Sequence, residues 1–148
     1  MGRGDPPDEN GSGSLAPVSA FVDTNIVVRH LTGDPPDMAA RATAYLASEP
    51  ELLLTDLVAA ETVYVLESFY EAPRHQVAEA VRSLIASAVC VDPALVLRAA
   101  EVYETDRIDF ADAYQVACAE STGVGKIVSF DRSLDRVPSI ERLEPPET

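Results

Sequence analysis

From residue 18 onward the chain alternates short, continuous apolar runs with longer stretches in which apolar residues return every three or four positions. The short runs VSAFV (18–22), LLLT (52–55), VCV (89–91) and KIVSF (126–130) predict β-strands buried on both faces, with a weaker strand at 140–143. The longer stretches predict helices over about 25–31, 36–48, 56–70, 73–86, 93–105 and 109–121. Pro36, Pro73 and Pro93 suit first-turn positions, and Gly33 and Gly123 suit helix ends. Strands separated by helices need crossover connections, so the pattern predicts an α/β fold with a mostly parallel central sheet covered on both faces. No internal repeat interrupts it.

The first 17 residues, MGRGDPPDENGSGSLAP, have almost nothing to bury and predict a disordered tail ahead of one domain over 18–148. Their Arg3-Gly4-Asp5 triplet reads as a chance match in a biased segment. With 47% hydrophobic residues the rest can build a real core. No apolar run reaches the roughly 18 residues that span a bilayer, and no basic-then-apolar leader is visible, so a cytoplasmic protein without membrane attachment is expected. Cys90 and Cys118 form no CxxC, and with two histidines they give no zinc spacing.

Charge changes the picture most. The chain carries 25 acidic and 11 basic residues, a formal −14, and Lys126 is its sole lysine. Such a field repels nucleic acid, whose affinity normally comes from Lys and Arg displacing counterions, so a nucleic-acid substrate would need cations or a local arginine patch. The plainer reading is a solvated acidic surface.

Several acids fall where that reading is incomplete. In such sheets ligands collect at the carboxyl ends of the strands. Asp23 directly follows the first strand, and Asp131 directly follows KIVSF. Each also has an ordinary role: Asp23 as cap of the next helix, a contribution of about 1 kcal/mol, and Asp131 as cap of a short helix RSLDRV. Thr24 and Asn25 add side-chain oxygens beside Asp23. Glu61, flanked at helical spacing by Leu57, Val58, Tyr64 and Val65, interrupts an apolar stripe, where an unpaired carboxylate is costly; a place at the stripe's margin is the alternative. Asp109 and Asp112 share the first turn of a helix; Asp109 is the natural cap, which leaves Asp112 surplus to capping. Ala111, Ala113, Ala117 and Ala119 would let that helix approach the sheet closely. Carboxylates gathered at one edge repel unless a cation sits among them, and hard oxygen donors without His or Cys suit magnesium or manganese.

FVDTNIVVRHL, the helical Glu61, DFADAYQVACA and VSFDRSLDRV, in this order and spacing, make the sequence resemble a PIN-domain ribonuclease, in particular the VapC toxins of bacterial toxin–antitoxin pairs. The resemblance covers about 19–143. It implies a three-layer α/β/α fold whose acidic pocket binds Mg2+ or Mn2+ and cleaves RNA. It matches the four family acids to Asp23, Glu61, Asp112 and Asp131, with Asp109 the competing choice for the third. It also matches Ser129 to a hydroxyl residue before the last acid, and Thr24 and Asn25 to polar positions beside the first. Arg29, Arg107, Arg132 and Arg136 are candidate phosphate contacts, with surface solubility as the ordinary role of each. A homodimer and a cognate antitoxin are the implied partners, and Val63, Leu66, Phe69 and Tyr70 form either an interface or ordinary core.

Two other readings use the same acids. A magnesium-dependent phosphatase or receiver also places Asp at strand ends, but the former needs Asp two residues after its nucleophile, where this chain has Asn25. The latter needs a lysine on a strand end after the phosphoacceptor, whereas Lys126 precedes Asp131. A non-catalytic binding module of the same fold would not need four intact acids.

Overall fold

Breakers and caps at the ends of the periodic stretches set the helix boundaries. In the computed structural model, which describes residues 20–48 and 51–148, the order is β1 (Ala20–Phe21), α1 (Thr24–Thr32), α2 (Pro36–Ser48), β2 (Leu52–Leu54), α3 (Asp56–Ser68), α4 (Arg74–Ser87), β3 (Val89–Cys90), α5 (Pro93–Asp106), α6 (Phe110–Thr122), β4 (Lys126–Val128), a 3-10 helix (Arg132–Arg136) and β5 (Glu141–Leu143). Gly33 ends α1 in the left-handed conformation, φ 71°, where its N–H bonds the Arg29 carbonyl, and Gly123 ends α6 likewise at φ 75°. A side chain at either φ would be strained. Pro93 opens α5 behind the Asp92 cap, while Pro73 takes the cap position itself, one residue before α4. The expected tail (1–17) and the first two residues of VSAFV lie outside the described residues.

Every strand pairing is parallel. Ala20 and Phe21 of β1 stand opposite Leu52 and Leu53 of β2, Leu53 and Leu54 stand opposite Val89 and Cys90, and β4 pairs with β5 through Ile127 and Arg142. Among the described residues these pairings form a three-stranded and a two-stranded ladder within the α/β/α architecture. The strands are shorter than their apolar runs. KIVSF leaves the ladder after Val128 because the chain turns at Ser129 toward the 3-10 helix.

The expectation that each strand is buried on both faces holds for β2, whose Leu52 and Leu54 are buried and Leu53 half-buried, but not for β1 and β4, where Phe21 and Val128 are 67% and 68% exposed. The reason lies in the helices, which spend much of their apolar surface on one another. α6 packs most extensively against α5, so buried Ala113 and Ala117 serve helix-to-helix approach more than approach to the sheet, and Ala111 is exposed. One core cluster joins α3–α6 through Val63, Leu66, Val77, Val96, Tyr103 and Val116, which makes Val63 and Leu66 ordinary core. A second joins β1, β2, α1 and α4 through Val22, Val27, Leu52, Leu54 and Leu84. No helix among the described residues is long and apolar enough to cross a membrane.

Candidate active site at the carboxyl ends of the strands

Asp23 occupies the position of a helix cap without acting as one. Its backbone is extended (φ −83°, ψ 154°) and its carbonyl accepts from the N–H groups of Ile26 and Val27, but its side chain makes no cap bond. The carboxylate is exposed at the end of β1. Beside it, Thr24 Oγ1 donates to Glu61 Oε2 at 2.6 Å, a bond that spans 37 residues of sequence and ties α1 to α3 at this corner. Glu61 is therefore not a carboxylate inside an apolar stripe. It is exposed, as are Leu57 and Tyr64, because this face of α3 points outward while Ala59, Thr62, Val63 and Leu66 carry the buried face. The marginal position holds, with a specific partner added.

The second corner is built at the start of α6 and the end of β4. Asp109 sits at the cap position of α6, again without a side-chain cap bond, so its expected capping role is not fulfilled. Asp112 lies in the first turn, half-buried, with its carboxyl group within hydrogen-bonding reach of Asp131. Burial first, then the charges of Asp131 and Asp109, hold the Asp112 carboxyl above the usual carboxylate range. Asp131 is exposed and does cap: its Oδ1 accepts from the Ser133 N–H at 2.9 Å. The Ser133 hydroxyl and N–H hold its carboxyl below the usual range. Ser129 Oγ accepts from the Asp131 N–H at 3.0 Å, which fixes the turn that presents Asp131.

Contacts that sequence reasoning missed hold this second corner in place. The turn from α5 into α6 passes through Arg107 in the left-handed conformation, φ 57°. Arg136 Nη1 donates to the Arg107 carbonyl at 2.8 Å. Arg74 Nη1 donates to the carbonyls of Ile108 (2.7 Å) and Tyr103 (2.9 Å), and its guanidinium lies 4.2 Å from the centre of the Tyr103 ring. Two guanidiniums thus pin the backbone just before Asp109. The Tyr114 hydroxyl donates to Asp56, linking the Asp112 helix to the start of the Glu61 helix.

The five acids therefore stand as two groups, Asp23 with Thr24 and Glu61, and Asp109 with Asp112 and Asp131. Among the described residues no three Asp, Glu, His or Cys side chains lie close enough together to hold one metal ion, and convergence of four acids on one point is not found. No ion pair among the described residues engages any of the five. The donor chemistry still fits a hard divalent cation: oxygen ligands alone, one of them half-buried and pressed against another. Most cations are committed elsewhere. Arg82, Arg98 and Arg142 are in ion pairs, and Arg29 Nη1 donates to the Asn25 carbonyl at 3.1 Å. Arg41, Arg107, Lys126 and Arg132 have no side-chain partner among the described residues. Asn25 and Arg132 are exposed.

No individual curated protein matches the sequence significantly. The family model for the PIN domain matches residues 20–140, from β1 to the residue before β5, and so takes in both acidic corners. PIN domains have a nuclease-type fold and are generally metal-dependent, commonly ribonucleases. With most of its length matched and its α/β/α architecture in agreement, the chain belongs to the PIN domain family.

Proposed function

We propose that the protein is a Mg2+- or Mn2+-dependent endoribonuclease and acts as the cytoplasmic toxin of a VapBC-type pair. The observation that carries the reading is the close approach of Asp112 to Asp131, beside Asp109, at the carboxyl end of β4, an arrangement of hard oxygen donors that a capping role explains for Asp131 alone. Asp112 and Asp131 would hold the cation directly, and Asp23 and Glu61, at the other corner, would reach it through water. Such an ion, when bound, lowers the pKa of water and neutralises charge on a phosphodiester undergoing in-line attack. The chain's own groups do the rest. Thr24 keeps Glu61 at the Asp23 corner, where an exposed carboxylate can accept a proton from the attacking water. Ser129 and Ser133 orient Asp131, and the pinned α5–α6 turn orients Asp112. Arg132, adjacent to Asp131 and without a side-chain partner among the described residues, is the candidate contact for the phosphate. The homodimer and the cognate antitoxin rest on the resemblance to VapC toxins.

The test is incubation of purified protein with mixed RNA in magnesium, in manganese and in chelator. Cleavage with metal, its loss in chelator and its loss in Asp112→Asn support the reading. No cleavage in either metal, or wild-type rates in Asp112→Asn, overturns it. Co-purification with the product of a neighbouring small open reading frame tests the toxin assignment separately.

A further inference from the structure

Asp131 stands on an exposed turn between β4 and the 3-10 helix, with Asp112 within hydrogen-bonding reach. Repulsion between like charges pushes such a turn outward, so another force has to hold it in. Its tip offers little packing: Phe130 is 70% exposed, Arg132 is exposed, and the nearest buried anchor on the helix side is Leu134. The bonds that Asp131 makes with Ser129 and Ser133 stay within the turn and do not fasten it to the rest of the fold.

Arg142 does fasten it. It lies at the middle of β5, beyond residue 140 where the match to the PIN model ends, and its side chain is only 11% exposed. Nη1 donates at 2.9 Å to the carbonyl of Ser129, which precedes Asp131 in the turn. Nε and Nη2 donate at 3.0 and 3.3 Å to the two carboxylate oxygens of Asp135, which follows it. One planar guanidinium thus holds both feet of the turn, and the paired bonds fix direction as well as distance. Nη1 also donates at 3.3 Å to Glu144, outside the turn. A nearly buried ion pair adds little net stability over an apolar side chain of similar size, so holding a geometry is the better account of an arginine here.

We propose that Arg142 is a positioning residue for the cation site: by gripping Ser129 and Asp135 it keeps Asp131 beside Asp112 against their repulsion, and so sets the affinity of the pair for a divalent ion. The proposal deepens the metal-dependent reading and rests on it, but it can be tested without cleavage. Groups that orient metal ligands without touching the metal typically change its affinity by about 10- to 100-fold when altered. Two readouts on the full chain are needed. Mn2+ binding is followed through the electron paramagnetic resonance signal of the free ion, and the 15N order parameters of the Asp131 and Ser133 amides are measured without metal. Arg142→Lys keeps the charge but loses the planar fork, since one ammonium cannot hold both feet. It should weaken Mn2+ binding about tenfold or more, with the order parameters falling from about 0.85 toward 0.6.

A matched pair of surface variants keeps the test decisive should Arg142→Lys fail to fold. Asp135 and Glu144 both pair with Arg142, with side chains 56% and 47% exposed, yet only Asp135 belongs to the turn. Asp135→Ala and Glu144→Ala remove the same charge, so the field on the ion changes alike. Asp135→Ala should weaken Mn2+ binding several-fold more than Glu144→Ala and loosen the turn, whereas Glu144→Ala should leave the order parameters unmoved. Equal affinities in the two alanine variants overturn the proposal. So does a folded Arg142→Lys that binds Mn2+ as wild type does, and so does lost affinity in a turn that stays rigid. A wild type that binds no Mn2+ removes the metal-dependent reading and the positioning role together. Wild-type binding with unaltered variants removes the positioning role alone and leaves that reading in place.

Discussion

The two acidic corners solve the same electrostatic problem differently. At the end of β1, Asp23 is exposed and Glu61, also exposed, has a neutral hydroxyl, Thr24, as its partner. At the end of β4, Asp112 is half-buried against Asp131 with Asp109 nearby, and its ionisation is opposed by all three circumstances. The first corner is open to solvent, whereas the second sets carboxylates against one another, a repulsion that a cation would relieve. Cation affinity should therefore be concentrated at the β4 corner, with the β1 corner completing the site.

The largest expected effect is on cleavage. Asp112→Asn removes one ligand charge while keeping size and should lower single-turnover RNA cleavage by about a hundredfold or more, with circular dichroism unchanged. Asp23→Asn should fall comparably, because a completing ligand is still required for chemistry. A much smaller loss in Asp23→Asn would break the idea that the two corners act together.

Binding of the ion should sharpen the contrast next. A divalent cation that binds only the folded protein stabilises it by about 2.7 kcal/mol at a hundred times its dissociation constant, which shifts the melting midpoint by several degrees. The gain should nearly vanish in Asp112→Asn and shrink only partly in Asp23→Asn. Thermal scans in chelator, magnesium and manganese at fixed ionic strength measure it, and equal losses in the two variants would erase the distinction between the corners.

In chelator the order of stabilities should invert for the crowded acid. Asp112 has its folded carboxyl raised, so whatever it contributes is present below the ordinary carboxylate value and is lost as pH rises through the folded value. Asp112→Asn should consequently melt above wild type at neutral pH, with the difference closing as pH falls to the ordinary carboxylate range. Asp131 is held low by Ser133, so its contribution is present above the ordinary value and fades as pH falls through the lowered one. Asp131→Asn should gain nothing at neutral pH. A neutral-pH Asp112→Asn midpoint at or below wild type would show that the crowding stores no repulsion.

Smaller effects separate neighbours within each corner. Asp109 is exposed and does not cap α6 with its side chain, so Asp109→Asn should retain more activity than Asp112→Asn; a reversed ranking would make Asp109 the ligand. Thr24→Val should cost only a few-fold, because it loosens Glu61 without removing it.

Much of this was legible in the sequence where local chemistry decides. Gly33 and Gly123 marked helix ends because only glycine takes their backbone conformation without strain, and Pro93 marked a helix start. The acids at the strand ends were legible from their positions alone. What stayed hidden depends on contacts remote in sequence. Glu61 reads as a break in a buried stripe because Leu57 and Tyr64 are apolar, and nothing local says that this face of α3 is exposed. Asp23 and Asp109 read as caps because Asp usually caps, yet neither side chain turns back onto its helix. The Thr24–Glu61 bond and the two arginines pinning the α5–α6 turn join elements far apart in sequence, and residue type alone cannot pair them.

The engagement of so many guanidiniums inside the fold bears on how the protein should respond to ionic strength. With Arg74, Arg82, Arg98, Arg136 and Arg142 holding carbonyls or carboxylates of the chain itself, few cations remain to displace counterions from an RNA backbone. The three guanidiniums without a side-chain partner among the described residues, Arg41, Arg107 and Arg132, contacting single-stranded phosphates would give log K against log monovalent salt a slope of only about −2.1. RNA association by this acidic chain should thus weaken by only about twentyfold over a fourfold rise in salt, and discrimination among RNAs should survive conditions that strip RNA from proteins relying on a basic surface.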